Sequence, residues 1–470
     1  MLLNSILIKS ISSALSLALN LILLFFLSNF LSKFEFGLFN YLTTIGSLLI
    51  FILTSGFSRS FVHFYSQNIL IKKEVVETYI NINILIILLF IILVQVINFN
   101  KFLNDLIFEK KIEYLLINLG LLSGLLNYTF EKVGEIYDAD QLSAKFDYIK
   151  LILRAMTALT VVLLYFLNFL DLIILLFSII ILNFISILIL LKKYYTSKII
   201  INISILKNLS SYYFMFAPFT ILIGLYELLY RVVISSDLGI ENQGVYGFAF
   251  LIFAASSTPF HSVSNILLSY ASRNKIVFST EKINNYYLIC NSIIIPLLVI
   301  ISSLICVYYN YFINFLSNST FEISNLSLFG LFLWCVLSTY DILIYSSIIS
   351  TDNFKKYLNL GIFSSIMLIL ILVVFLHFGF HFNLEFYFLF LCIAPLIRLI
   401  VGVILGYLHF GSEMLFNIHQ TLFYFIICCT SLILFHAYES FILTTFMIFI
   451  AFLIWFYNLL IIDKVRLNLK

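Results

Sequence analysis

The sequence predicts an all-α polytopic membrane protein of about fourteen transmembrane helices, with both termini cytoplasmic. Three observations carry this. Of 470 residues, 63% are hydrophobic and 10% are charged. A soluble domain carries about 25% charged residues, so a water-soluble globular fold is excluded. The apolar residues fall in runs of about 20, the length that crosses a hydrocarbon core. Basic residues alternate between the intervening segments. With the N-terminus inside, the inner segments collect Lys9; Arg59, Lys72 and Lys73; Lys132, Lys145, Lys150 and Arg154; Lys192, Lys193, Lys198 and Lys207; Arg273, Lys275 and Lys282; Lys355 and Lys356; and Lys464, Arg466 and Lys470. The outer segments hold Lys33, Lys101, Lys110 and Lys111. This is the positive-inside bias, and adding or removing one helix would scramble it.

Taken in order, the candidate spans begin near residues 10, 38, 80, 115, 150, 171, 213, 244, 285, 326, 359, 385, 420 and 440. The first, ISSALSLALNLILLFFLSNFL, is longer than a signal-peptide core and is not followed by an A-x-A-like cleavage site. It is therefore kept as a helix. After the sixth span, KKYYTSKIIINISILKNLSSYY is the most basic connection and reads as an amphipathic segment on the membrane surface. It divides the chain into two six-helix lobes, 1–195 and 213–410, joined by a cytoplasmic linker at 196–212 and followed by an accessory helix pair over 411–470. The hydrophilic stretches near 59–79, 134–150, 192–212 and 269–285 all map to the inside, so a large outer catalytic loop is not expected.

A short internal echo fits this division. FEFGLFNYL leads into the second helix and ENQGVYGFAF into the eighth, each with Gly, a branched apolar residue and an aromatic at matching places. Parallel repeats put a substrate site between the halves. Pro218, Pro259, Pro296 and Pro395 all fall in the second half. Proline removes a backbone donor and kinks a helix, which serves a gate or irregular packing equally.

Charge inside the spans is sparse and informative. There are six arginines against twenty lysines. The lysines lie in loops or at helix ends, whereas Arg231 and Arg398 lie within spans. A charge near the bilayer centre costs roughly 3 kcal/mol on insertion scales and usually faces a bundle interior or a wet cavity. A guanidinium binds phosphate or carboxylate bidentately, so these positions suggest an anionic partner. Glu227 precedes Arg231 by one helical turn, on the same face. The pair is either structural or part of a cavity wall, with Arg231 meeting phosphate and Glu227 holding it or exchanging a proton. Arg398 needs a partner, and Asp341 of STYDILIYSS is the candidate, either as a structural pair or in the lumen. Arg59 is an interfacial anchor or the first contact for a cytoplasmic anionic head group. In NYTFEKVGEIYDADQLSAKFDYIK the carboxylates Glu131, Glu135, Asp138 and Asp140 resemble a cluster, but at a cytoplasmic helix end among Lys132 and Lys145 they read as a solvated loop, with Glu131 alone deep enough to titrate.

The six cysteines, Cys290, Cys306, Cys335, Cys392, Cys428 and Cys429, lie in apolar spans without metal-ligand spacing, so no disulfide framework and no metal site is expected. No phosphate-binding G-x-x-x-x-G-K-[ST] loop, H-E-x-x-H or nucleophile elbow occurs. Enzymatic hydrolysis, ATP-driven pumping and a bound cofactor are accordingly not expected.

Two segments carry a family resemblance. LSKFEFGLFNYLTTIGSLLIFILTSGFSRSFVHFY, residues 31–65, resembles the region of the first two helices of bacterial polysaccharide flippases, the Wzx-type branch of the multidrug/oligosaccharidyl-lipid/polysaccharide exporter superfamily. The matching residues are Phe36, Gly37, Phe39, Gly56 and Arg59. LYRVVISSDLGIENQGVYGFAFLI, residues 229–252, is similar to the family's helix seven to eight segment through Arg231, Gly244 and Tyr246. The family's Asp before the Arg is Tyr230 here, which moves any carboxylate role to Glu227.

The resemblance implies a MATE-like fold in the bacterial inner membrane. It also implies alternating-access translocation of an undecaprenyl-pyrophosphate-linked oligosaccharide, such as an O-antigen or capsule repeat unit, to the outer face. Arg231, Glu227, Arg59 and Arg398 would meet pyrophosphate or line the lumen, and Glu227, Asp341 and Glu131 are the candidates for ion coupling. The implied partners are the lipid-linked glycan, the bilayer, and a polymerase and chain-length regulator of the same pathway; nucleic acid is not one. The alternatives are a multidrug or metabolite exporter, a lipid II flippase and, from another class, a polysaccharide polymerase.

Overall fold

The computed structural model describes residues 2–67, 72–96, 101, 112–140, 142–194 apart from 168, 170 and 193, 202–274, 290–317, 321–348, 354–378, 382–410, 418–438 and 444–455. Among these residues there is no strand. The helices in chain order are α1 (Leu2–Phe30), α2 (Lys33–Gln67), α3 (Lys72–Val96), α4 (Tyr114–Ala139), α5 (Ser143–Phe166) and α6 (Leu172–Leu191). Then come α7 (203–238) and α8 (240–274), which meet at Gly239, α9 (Ile295–Ser317), α10 (Asn325–Ile348) and α11 (Phe354–Phe378). The last are α12, in two pieces (Leu384–Leu391 and Ile393–Phe410), α13 (Ile418–Tyr438) and α14 (Thr444–Trp455). Among the described residues, eight apolar stretches are long enough to cross a membrane, and one of these, Ala217–Ser257, covers parts of both α7 and α8. Helix α4, with Lys132 and Glu135 in its last turns, is not among them.

Helix starts follow side-chain chemistry. Ser32 and Glu35 form a reciprocal capping box on α2: the Ser32 N–H donates to Glu35 Oε2 at 2.9 Å and the Glu35 N–H donates to Ser32 Oγ at 3.2 Å. Asp171 accepts from the Leu172 N–H, Asn202 from Ser204, Ser324 from Ser327 and Asn383 from Phe386. Each satisfies a donor that a helix N-terminus leaves open. The boundaries expected near 38 and 244 shift upstream, so FEFGLFNYL and ENQGVYGFAF lie inside α2 and α8 instead of preceding them.

The chain forms two compact units, residues 1–248 with 361–382, and 249–360 with 383–470. In the first unit α2 packs along α4, α1 along α5, and α4 along α6. Close approach of α2 and α4 is possible because Gly124 sets its backbone against Thr43, and the Ser47 hydroxyl donates to the Gly124 carbonyl at 2.9 Å. Phe61, Tyr65, Val75, Tyr79, Ile136 and Leu209 gather in one core cluster, with the Phe61 and Tyr79 rings stacked at 4.2 Å.

Gly239 adopts φ 81 and ψ 168, a conformation open essentially to glycine alone. The chain folds back there. Arg231 lies 5.5 Å from the Tyr246 ring, whereas fifteen residues of straight helix would separate them by roughly 22 Å.

In the second unit α10 packs on α12 and α9, and α9 on α13. Helix α9 is entered through a π-helical turn, Cys290–Ile294. Pro296 explains the local opening: it has no N–H to give to the carbonyl five residues back, at Asn291. The Thr421 hydroxyl of α13 donates to that carbonyl at 2.7 Å instead, and Tyr340 Oη of α10 donates to Asn291 Oδ1 at 2.6 Å.

Candidate functional site

In the first unit α7 runs beside α2. Gly224 faces Phe51 and Ile52, and Tyr41 faces both Ser235 and Arg231. Between these contacts lie the two charges singled out in the sequence. Arg231 is 8% exposed, so its guanidinium is enclosed and not snorkelling to an interface. It lies against the face of Tyr246, within cation–π range. Glu227, one turn earlier, is exposed. The residue that replaces the family's Asp, Tyr230, is buried and sits in an aromatic row, 6.0 Å from Tyr226 and 5.9 Å from Tyr246. Its position is a packing one.

In the second unit the Arg398 Nε donates to Asp341 Oδ2 at 2.8 Å, with the two side chains 15% and 7% exposed. Helices α12 and α10 bring these residues together across a separation of 57 in sequence, as the sequence pairing expects. An ion pair enclosed this far keeps both charges tolerable in a low-dielectric setting.

The charged end of α4 differs from its expectation as a solvated segment. The helix runs on to Ala139, and Lys132 points inward, 13% exposed, pairing with Glu135 at 2.7 Å and lying 4.9 Å from the Tyr128 ring. Tyr128 meets the Thr54 hydroxyl of α2 at 3.2 Å. These groups border a cavity of about 40 Å³ that Tyr79 and Asn83 of α3 also line, enough for a few waters at roughly 10–15 Å³ each. Glu131 turns the other way and pairs with Lys150 of α5 at 2.7 Å. Beyond the helix, Asp140 accepts from Tyr65 Oη at 2.6 Å and from Tyr194 Oη at 2.9 Å. Burial first, and then this bond to Asp140, push the Tyr194 phenol well up.

The structure therefore distributes the predicted residues. Arg231 and Glu227 share one helix beside α2, Arg398 and Asp341 form a pair in the second unit, and Glu131 belongs to a pair with Lys150 in the first. The Arg59 side chain lies outside the described residues, as do residues 196–201 of the predicted linker. Lys132, Tyr128 and Gln243 were not singled out from the sequence. For Lys132 the signal was available: Tyr128, Lys132 and Glu135 recur at helical spacing among apolar residues. No group of three His, Cys, Asp or Glu among the described residues is placed to hold a metal ion.

No family model matches the sequence, and no curated protein matches it. Solved structures do. A multidrug resistance MATE family transporter of the MOP superfamily, in an outward-facing conformation, aligns with a TM-score of 0.59 at 13% identity, over 87% of this chain and 96% of that one. A chain known as protein A aligns with a TM-score of 0.66 at 14% identity, over 88% and 96%. A MOP superfamily transporter from Pyrococcus furiosus, described as having a binding pocket of reverse polarity, gives 0.58 at 13% identity over 87% and 96%. The fold of this chain is thus MATE-like, as the sequence predicts.

Proposed function

We propose that the chain is a flippase that moves an undecaprenyl-pyrophosphate-linked oligosaccharide from the cytoplasmic to the outer face of a bacterial inner membrane. It would work by alternating access between two six-helix lobes, with α13 and α14 accessory. The observation that carries this reading is Arg231: a buried guanidinium inside a span, laid on an aromatic ring beside α2, in a transporter-like fold. An anionic pyrophosphate calls for fixed positive charge in an enclosed site, and the prenyl chain can remain in lipid. Glu227, exposed one turn away, is the group placed to release or hold the arginine. The two segments that resemble the polysaccharide branch are the ones that supply Arg231 and its neighbours.

An exporter of drugs or metabolites fits the fold as well, and Glu227 is the side chain that would serve a cationic cargo. The test separates the two. Surface polysaccharide is measured in a deletion strain complemented with wild type, Arg231→Ala or Glu227→Ala, with membrane protein levels followed alongside. Lost polymer with protein retained, and lipid-linked units accumulating on the cytoplasmic face, supports the flippase. Normal polymer in the deletion strain overturns it in favour of the exporter.

A further inference from the structure

Helices α2 and α8 meet through matching stripes. On α2 the stripe is Lys33, Phe36, Gly37 and Asn40; on α8 it is Ile240, Gln243, Gly244 and Gly247, both at the i, i+3, i+4, i+7 spacing of one helix face. The contacts are reciprocal. A Cβ on Gly37 would strike the Ile240 carbonyl, one on Gly244 would come within 2.7 Å of the Lys33 carbonyl, and one on Gly247 would strike Asn40. The same separation in sequence relates Lys33 to Ile240, Gly37 to Gly244 and Asn40 to Gly247. The two echoed segments are therefore packed on each other as equivalents, with Phe36 and Phe248 rings 5.5 Å apart beside them.

This seam is tightly packed yet poorly satisfied. Gln243 is fully buried, and among the described residues neither its Nε2 nor its Oε1 has a hydrogen-bond partner. Asn40 is 5% exposed; its Oδ1 accepts from Thr44 at 3.1 Å, but its Nδ2 has no partner among the described residues. A buried amide without a partner costs its full desolvation penalty, and buried amides are normally paired. Glycine packing holds the stripes together, while water reaching the two amides would favour separating them.

We propose that this seam is a water-opened latch in which Gln243 and Asn40 set how readily α2 and α8 part. The placement of the latch on the outer side rests on the transporter reading and its orientation. Gln243 is then a residue that keeps the closed state from being too stable, which a cycling transporter needs and a static scaffold does not.

Ser235 provides a reporter. It is 2% exposed and faces Tyr41 of α2, and its change to cysteine is near-isosteric. Ser235→Cys is labelled on intact cells with a membrane-impermeant maleimide, against the unaltered protein as background. The cysteine is expected to react slowly. Adding Gln243→Met, or Gln243→Leu as the second variant, should slow the reaction by about fivefold, the equivalent of one unmet hydrogen bond. Gly37→Ala should speed it by wedging the stripes apart. No reaction in protein present in the membrane, or an unchanged rate with Gln243→Met and Gln243→Leu, overturns the latch. Reaction confined to inside-out vesicles overturns its outward placement. Transport plays no part in this readout, so an opening latch with surface polysaccharide unaffected by deletion would remove the flippase reading alone.

Discussion

Arg398 and Asp341 are joined by a 2.8 Å ion pair that ties α12 to α10 inside the second unit. Removing one member leaves the other charge enclosed without its counter-ion, a loss of about 3–5 kcal/mol for buried pairs. Asp341→Ala should therefore lower the thermal unfolding temperature in detergent sharply. Arg398→Met together with Asp341→Leu should recover most of that loss, because apolar replacement of both partners removes the desolvation cost too. If the double variant unfolds as early as Asp341→Ala while retaining its helices, the pair does more than neutralise charge.

The π turn before α9 gives a second coupling. Thr421 serves the Asn291 carbonyl that Pro296 cannot serve. Thr421→Val should cost about 0.5–1.5 kcal/mol, the net worth of the hydrogen bond it removes. Pro296→Ala restores an N–H in reach of that carbonyl, so the cost of Thr421→Val should shrink in its presence. A double-mutant cycle on unfolding temperature measures this, and strict additivity would refute the account.

Much of this architecture was legible because a membrane chain must bury its backbone polarity within helices. Apolar length and lysine placement then suffice to count and order them. The Asp341 partner of Arg398 was legible for the same reason, since a charge within a span needs compensation and few carboxylates were available. Side-chain direction was not legible. Tyr230 and Arg231 are neighbours with different surroundings, and only the fold-back at Gly239 shows that both meet Tyr246. Lys132 falls in a stretch whose composition reads as a solvated loop, because composition alone does not reveal that α4 continues past it to Ala139. The echo between α2 and α8 was visible as three matching residues, but their mutual packing is a property of three dimensions.

Tyr194 links pH to stability at the end of α6. Burial and the bond to Asp140 raise its phenol above the usual value of 10.0. A group held protonated in the folded state contributes stability that is present below the unfolded value and is lost as pH rises past it. Unfolding temperature should fall more steeply above about pH 10 in the native protein than in Tyr194→Phe. Parallel curves for the two would show that the bond to Asp140 carries no such linkage.

Arg231→Lys separates charge from shape. Lysine keeps the positive charge, but it loses the planar fork that binds two phosphate oxygens at once and the flat surface that lies on Tyr246. Cation–π contact contributes about 0.5–2 kcal/mol, so membrane levels of the variant should drop modestly at most. Phosphate recognition by paired donors depends on geometry as well as charge. Surface polysaccharide should accordingly fall roughly tenfold or more, the effect of losing one charge-assisted bond worth about 1.5–3 kcal/mol. Quantifying polymer per unit of membrane protein gives the comparison directly. Equal polymer at equal protein would mean that position 231 needs only a cation, and the bidentate contact would have to be given up even if the chain proves to be a flippase.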